Sequence, residues 1–143
     1  KDLTNMVRLN CEALTHITSI CLPYMRTGSR IVHMASSVAY APLPYFGVYC
    51  ASKAYVLSFS RSLSAELKRR KITVTAVCPG PVDTPFFDRS ERFSEKTIPF
   101  KKFIMNKPRN VAIKAICDAG AGFKVSYDTP LMALFCIFGK LFL

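Results

Sequence analysis

After Gly47 the chain runs to Arg70 without a single Gly or Pro, and short apolar runs flank this stretch on both sides. Nothing inside the segment breaks a helix, and Arg69, Arg70 and Lys71 gather at its end, where cations complement the helix dipole. Upstream lies RIVHMAS (30–36), which reads as a short buried strand. Downstream lies ITVTAVC (72–78), β-branched and strand-like, stopped by Pro79-Gly80-Pro81. Before these, Met6, Leu9, Ala13, Leu14, Ile17, Ile20 and Cys21 recur at helical spacing, so a helix is expected over residues 4–22 with that face inward. Helix, strand, helix, strand is the order of a parallel α/β sheet.

The remainder is less regular. Residues 85–108 are polar and aromatic without a period and read as a substrate loop or lid. A short helix is expected over 108–119, with Pro108 at its start, where the missing N–H costs little. AGAGF (119–123) follows a helix rather than a strand and lacks a third Gly, so it reads as a turn and not a phosphate loop. The tail 131–143 is apolar but shorter than the ~20 residues that span a bilayer. It reads as a buried or subunit-contact segment, with contact to a membrane surface as the alternative. At 143 residues the chain is the size of one domain.

The formal net charge is +11, from 20 Lys and Arg against 9 Asp and Glu, but the basic residues are dispersed and no nucleic-acid module accompanies them. Nucleic acid is therefore not an expected partner. The six cysteines contain no C-x-x-C and do not cluster with His16 or His33, which argues against a metal site. Most sit among apolar neighbours and read as buried reduced thiols of a cytoplasmic protein.

The chemistry concentrates in SSVAYAPLPYFGVYCASKAY (36–55). Tyr49 and Lys53 lie one helical turn apart, so their side chains emerge on the same face. A phenol ordinarily ionises near pH ~10; bringing it toward neutrality takes about three pH units, or roughly 4 kcal/mol, much of which an adjacent ammonium could supply. Such a Tyr exchanges protons with a hydroxyl or carbonyl. Ser36 and Ser37 stand at the carboxyl end of a strand, and Pro79-Gly80 at the end of the other, where open parallel sheets bind ligands. Asn10 shares a face with Met6 and Ala13, as a boundary residue or as a buried amide with a specific partner.

With Tyr49-x-x-x-Lys53, Ser36, CASKAYVLSFSRSLSAEL and VCPGPVDTPF, residues 5–86 resemble the catalytic half of the short-chain dehydrogenase/reductase family. The look is closest to hydroxysteroid and 3-ketoacyl reductases. The resemblance implies the C-terminal part of a Rossmann-like doubly wound parallel sheet, a single partial domain over 1–143. It implies hydride transfer between NADP or NAD and an alcohol or ketone. In that scheme Tyr49 is the acid/base, Lys53 binds the nicotinamide ribose and lowers the Tyr49 pKa, and Ser36 polarises the carbonyl. Asn10 holds a relay water, and Pro79, Gly80, Val82 and Thr84 border the nicotinamide. The family's Gly-rich TGxxxGxG turn and NNAG strand are not in this sequence, so residues 1–143 alone are expected to be inactive. The small residues Ala51, Ala54, Ser58, Ser62 and Ala65 line one side of the 47–70 helix and suggest a homo-oligomer contact there. The competing reading is an inactive fragment serving as a dimerisation or membrane-peripheral module.

Overall fold

The structure is a computed structural model, and it describes residues 2–85 and 105–139. Three parallel strands, β1 (Arg30–Met34), β2 (Thr73–Val77) and β3 (Val125–Ser126), form one sheet in the order β1-β2-β3. Arg30 pairs with Thr73 and Met34 with Val77, while Ala76 pairs with Val125. Strand β2 is the centre, and its alternating side chains enter two cores. Val74 and Ala76 pack toward helix α3 (Gly47–Glu66), against Leu63 and against Val56 and Leu57. Val77 packs on the opposite face, with Val111 and Ala115 of helix α4 (Pro108–Gly120). Helices on both faces of a parallel sheet give the doubly wound α/β arrangement expected from the sequence.

The crossover helix is fixed at both ends. Leu43 N–H donates to Cys50 Sγ at 3.4 Å and Cys50 N–H to Phe46 O at 2.8 Å, so the loop before α3 is folded onto its first turn. The far end tightens into a 3-10 turn, Leu67–Arg70, and Lys71 adopts a left-handed conformation (φ 55) that turns the chain into β2. The Arg70 guanidinium then donates to Leu22 O and Met25 O, both at 3.0 Å, tying the helix end to the N-terminal segment.

That N-terminal segment departs from expectation. It comprises helix α1 (Asp2–Val7), a π turn Arg8–Ala13 and helix α2 (Leu14–Cys21). Leu9, Ile17 and Ile20, expected inside, are 71%, 63% and 66% exposed. The inward face is largely polar because it hydrogen-bonds to its neighbours. Asn10 reaches Ser52, Thr15 Oγ1 lies 2.7 Å from the Tyr55 hydroxyl, and Thr18 Oγ1 lies 3.1 Å from His33 Nε2. A widened π turn within an otherwise α-helical run also shifts the phase on which apolar spacing is counted.

Two further expectations need correction, for β3 and for the cysteines, while the tail keeps both of its readings. The short strand β3 lies where no strand was expected, since two residues carry no period. The tail forms helix α5 (Pro130–Gly139), but only one side of it is buried. Cys136 is wholly covered, whereas Leu131, Leu134, Phe135, Ile137 and Phe138 are exposed. Cys21 and Cys117 are likewise exposed rather than buried. Among the described residues no helix is long and apolar enough to cross a membrane. The expected loop over 85–108 falls mostly outside the described residues.

Candidate active site

β1 ends at Met34, but the backbone remains extended through Ser36 (φ −170, ψ 159) before a 3-10 turn, Ser37–Ala39. Ser36 Oγ accepts from Val38 N–H at 3.5 Å and caps this turn. Ser37 N–H donates to Pro79 O at 3.0 Å, so the exits of β1 and β2 are joined backbone to backbone. Adjacent strand ends in a parallel sheet open toward the same side, and here they share one rim.

Tyr49 stands in the first turn of α3 and makes a hydrogen bond with Ser36. Lys53, a turn later, donates from Nζ to Met34 O at 2.8 Å, and the same ammonium lies 5.7 Å from the centroid of the Tyr49 ring. These residues line a cavity of ≈ 420 Å³ together with Pro79, Gly80, Val82 and Thr84. Its other walls are mainly apolar: Ala35, Val38, Leu43 and Phe46 on one side, Met132 and Phe135 of α5 on another. Seven of the eight residues singled out in the sequence therefore meet around one space.

Asn10 is the exception, since it does not line the cavity. Its Nδ2 donates to Ser52 Oγ at 3.0 Å, and Ser52 Oγ donates to Tyr49 O at 2.8 Å. It is thus a half-buried amide with a specific partner, linked through Ser52 to the backbone of Tyr49.

The electrostatics of this pair are set first by burial. Burial pushes the Tyr49 phenol up from its ordinary value; the hydrogen bond with Ser36 opposes this, and neighbouring Cys50 adds to it. Lys53 is itself pushed down by burial, with Cys11 and Cys78 opposing. Lys53 is not among the causes that shift Tyr49 in this arrangement. The ammonium hydrogen-bonds to Met34 O and faces the ring rather than the phenol oxygen, while removal of water disfavours the phenolate.

The Pro79–Thr84 turn has supports that the sequence reading missed. Gly80 N–H donates to Asp128 Oδ1 at 3.2 Å, and Asn106 Nδ2 donates to Asp128 Oδ2 at 3.5 Å. Asn106 also bridges Val82, donating from its N–H to Pro81 O and accepting from Asp83 N–H, both at 3.0 Å. The flexible end of Met132 lies where a Cβ on Gly80 would stand, so a side chain there would have to displace it. No local signal marks Asp128 or Met132, since both act across long sequence separations. Among the described residues no group of three His, Cys, Asp or Glu is placed to hold a metal ion.

Several known proteins are similar to this chain. The family model described as short chain dehydrogenase matches residues 1–95. The chain is 34% identical over 114 residues to glucose and ribitol dehydrogenase homolog 2 of Arabidopsis thaliana, covering 80% of this chain and 38% of that protein. It is 35% identical over 89 residues to an uncharacterized oxidoreductase of Bacillus subtilis, covering 62% of this chain and 31% of the relative. A short-chain dehydrogenase from Sphingobium yanoikuyae, solved in complex with NADPH, superposes with a TM-score of 0.74 at 27% identity, covering 95% of this chain and 54% of that one. A putative short-chain dehydrogenase from Novosphingobium aromaticivorans shares the fold, with a TM-score of 0.77 at 20% identity. The chain thus spans well under half the length of these curated relatives and about half of these solved structures.

Proposed function

The chain belongs to the short-chain dehydrogenase family, and from that membership we propose that the protein carrying it is an NADP- or NAD-dependent oxidoreductase interconverting an alcohol and a ketone. The observation that supports this most directly is the shared cavity of Ser36, Tyr49, Lys53 and the Pro79–Thr84 turn. Its volume lies within the range of small-molecule sites. The residues fit the nicotinamide end of such a cofactor: a glycine floor at Gly80 against the end of Met132, apolar walls, and a cation and two hydroxyls on one side. When bound, the nicotinamide supplies the hydride.

The chain's own residues do the rest. Ser36 donates a hydrogen bond to the substrate oxygen, and Tyr49 gives it a proton. The phenol O–H bond breaks, the substrate O–H bond forms, and the phenolate left behind regains its proton through the relay water. Lys53 binds the ribose hydroxyls, and Pro79, Gly80, Val82 and Thr84 border the nicotinamide. Asn10 holds a relay water on the α3 side, where Ser52 fixes it. The apolar walls favour a ketone on an apolar body. Residues 1–143 form one partial domain in this scheme, with 85–108 as its substrate loop, and the free cysteines suit a reducing cytoplasm. In the full-length protein, Tyr49→Phe is expected to lower turnover at least ~10²-fold, the ordinary cost of losing a general acid. Near-full activity in steady-state assays with NADPH and NADH would refute the assignment.

A second reading, an association module, is favoured by two faces that no described residue covers. Ala51, Ser58, Ser62 and Ala65 lie exposed on α3, suited to a second copy, and the apolar side of α5 suits a membrane surface. A monomer by sedimentation and no flotation with anionic liposomes would remove it.

A further inference from the structure

We infer that Asp128 is a positioning residue for the Pro79–Thr84 turn, its carboxylate holding Gly80 and Asn106 so that the turn keeps the shape the cavity requires. The inference rests on the oxidoreductase reading only for what the turn binds. Asp128 sits in the loop between β3 and α5, and its two oxygens take two different donors. Oδ1 accepts from Gly80 N–H at 3.2 Å and Oδ2 from Asn106 Nδ2 at 3.5 Å. Both donors lie where the chain has left the sheet. After β2 ends at Val77 and Cys78 N–H donates to Ser126 O, the turn meets the segment before α4 through the bridge Val82–Asn106 and the packing of Val82 near Val111. Hydrogen bonds to a charged acceptor are about twice as strong as neutral ones.

The orientation of Asn106 is set by its other contacts, which makes the arrangement specific to a carboxylate. Asn106 Oδ1 accepts from Lys107 N–H at 2.8 Å and from Asn110 Nδ2 at 3.3 Å, so its Nδ2 is left facing Asp128. An Asn at 128 could still accept from Gly80 N–H, but its own amide NH₂ would then oppose that of Asn106, donor against donor. Exchanging the two residues reverses this. With Asp at 106 and Asn at 128, the new carboxylate accepts from Lys107, Asn110 and residue 128, and the amide oxygen at 128 accepts from Gly80. The segment carries a second restraint on the same glycine, since the Met132 side chain covers the Cα of Gly80. Thr129 caps the helix that bears Met132, its Oγ1 accepting from Met132 N–H at 3.1 Å, so both restraints come from one rigid piece.

The test uses the full-length protein and three variants: Asp128→Asn, Asp128→Ala and the exchange Asn106→Asp with Asp128→Asn. Two quantities are read, the dissociation constants of NADPH and NADH by fluorescence, and hydrogen exchange of the Gly80 amide in the absence of cofactor. Asp128→Asn and Asp128→Ala should weaken binding of the preferred cofactor about tenfold, as expected for one lost charge-assisted bond, and speed exchange at Gly80. The exchange double variant should restore both. Wild-type behaviour of Asp128→Asn, or a double variant no better than the single one, overturns the proposal. If the wild-type protein binds neither dinucleotide, the oxidoreductase reading falls, and the Gly80 exchange rates in the same variants still decide the role of Asp128.

Discussion

Replacing Ser36 by Ala tests the proposed chemistry through two readouts that move for different reasons. The first is rate. Ser36 lines the cavity and bonds to Tyr49, so in the proposed reaction it is the donor nearest the oxygen on which charge develops. Loss of one such donor typically costs ~10²–10³ in turnover. The second is pH. Burial raises the Tyr49 pKa and the hydrogen bond with Ser36 lowers it, so removing Ser36 leaves burial unopposed and moves the phenol further up. In carbonyl reduction the active form is the protonated phenol, so the alkaline fall in rate shifts to higher pH. In alcohol oxidation the active form is the phenolate, so the rise in rate with pH shifts upward as well. Ser37 is the control. It is equally buried and lines the same cavity, but its recorded bonds are made by its backbone, to Pro79 O and from Tyr40 N–H, and Ala keeps them. Ser37→Ala is therefore expected to change rate and profile little. The assay is steady-state kinetics of the full-length protein across pH in both directions, with a thermal melt to show that each variant folds; the Ser36 cap is worth only about 1 kcal/mol. A larger loss in Ser37→Ala, or an alkaline limb that moves down in Ser36→Ala, refutes the reasoning.

Gly80→Ala places a methyl group against the end of the flexible Met132 side chain, which can swing into the cavity. The melting temperature is expected to change little while cofactor affinity falls, and Met132→Ala in the same background should recover it, as measured by NADPH titration. His33 is buried between Thr18 and Ser60, and burial pushes its pKa below the ordinary value. The unfolded chain then takes up the proton first on acidification, so stability is full above about pH 6.5 and declines as pH falls through the window below it. Thermal melts should show that decline in wild type and its loss in His33→Gln; a protein that becomes more stable on mild acidification contradicts it.

The crossover was legible because its signals are local. A long run without Gly or Pro between two apolar strands has few ways to fold, and α3, β1 and β2 appear where the sequence puts them, within a few residues at each end. The N-terminal helix was legible in its existence but not in its facing. Apolar spacing presumes that apolar residues go inside. Here Asn10, Thr15 and Thr18 face α3 and β1 because hydrogen bonds to Ser52, Tyr55 and His33 satisfy them there. Leu9, Ile17 and Ile20 are left on a face that no described residue covers. The two-residue strand β3 exists only through its partners: Lys124 O accepts from Ala76 N–H, and Ser126 O from Cys78 N–H.

The candidate site divides along the same line. Ser36, Tyr49 and Lys53 come from one strand end and the first turns of the helix that follows it, so their juxtaposition is a consequence of a single crossover and could be read from spacing. The state of the Tyr49 proton could not. It depends on how much water the surrounding chain excludes, and that exclusion comes from pieces as distant as Pro79 and α5, which close the cavity from the far side. Spacing put Lys53 beside Tyr49 and suggested a lowered pKa; the ammonium instead donates to Met34 O, and burial dominates. The placement of these side chains is thus a local property of this chain, whereas the electrostatics around Tyr49 are a property of the whole fold.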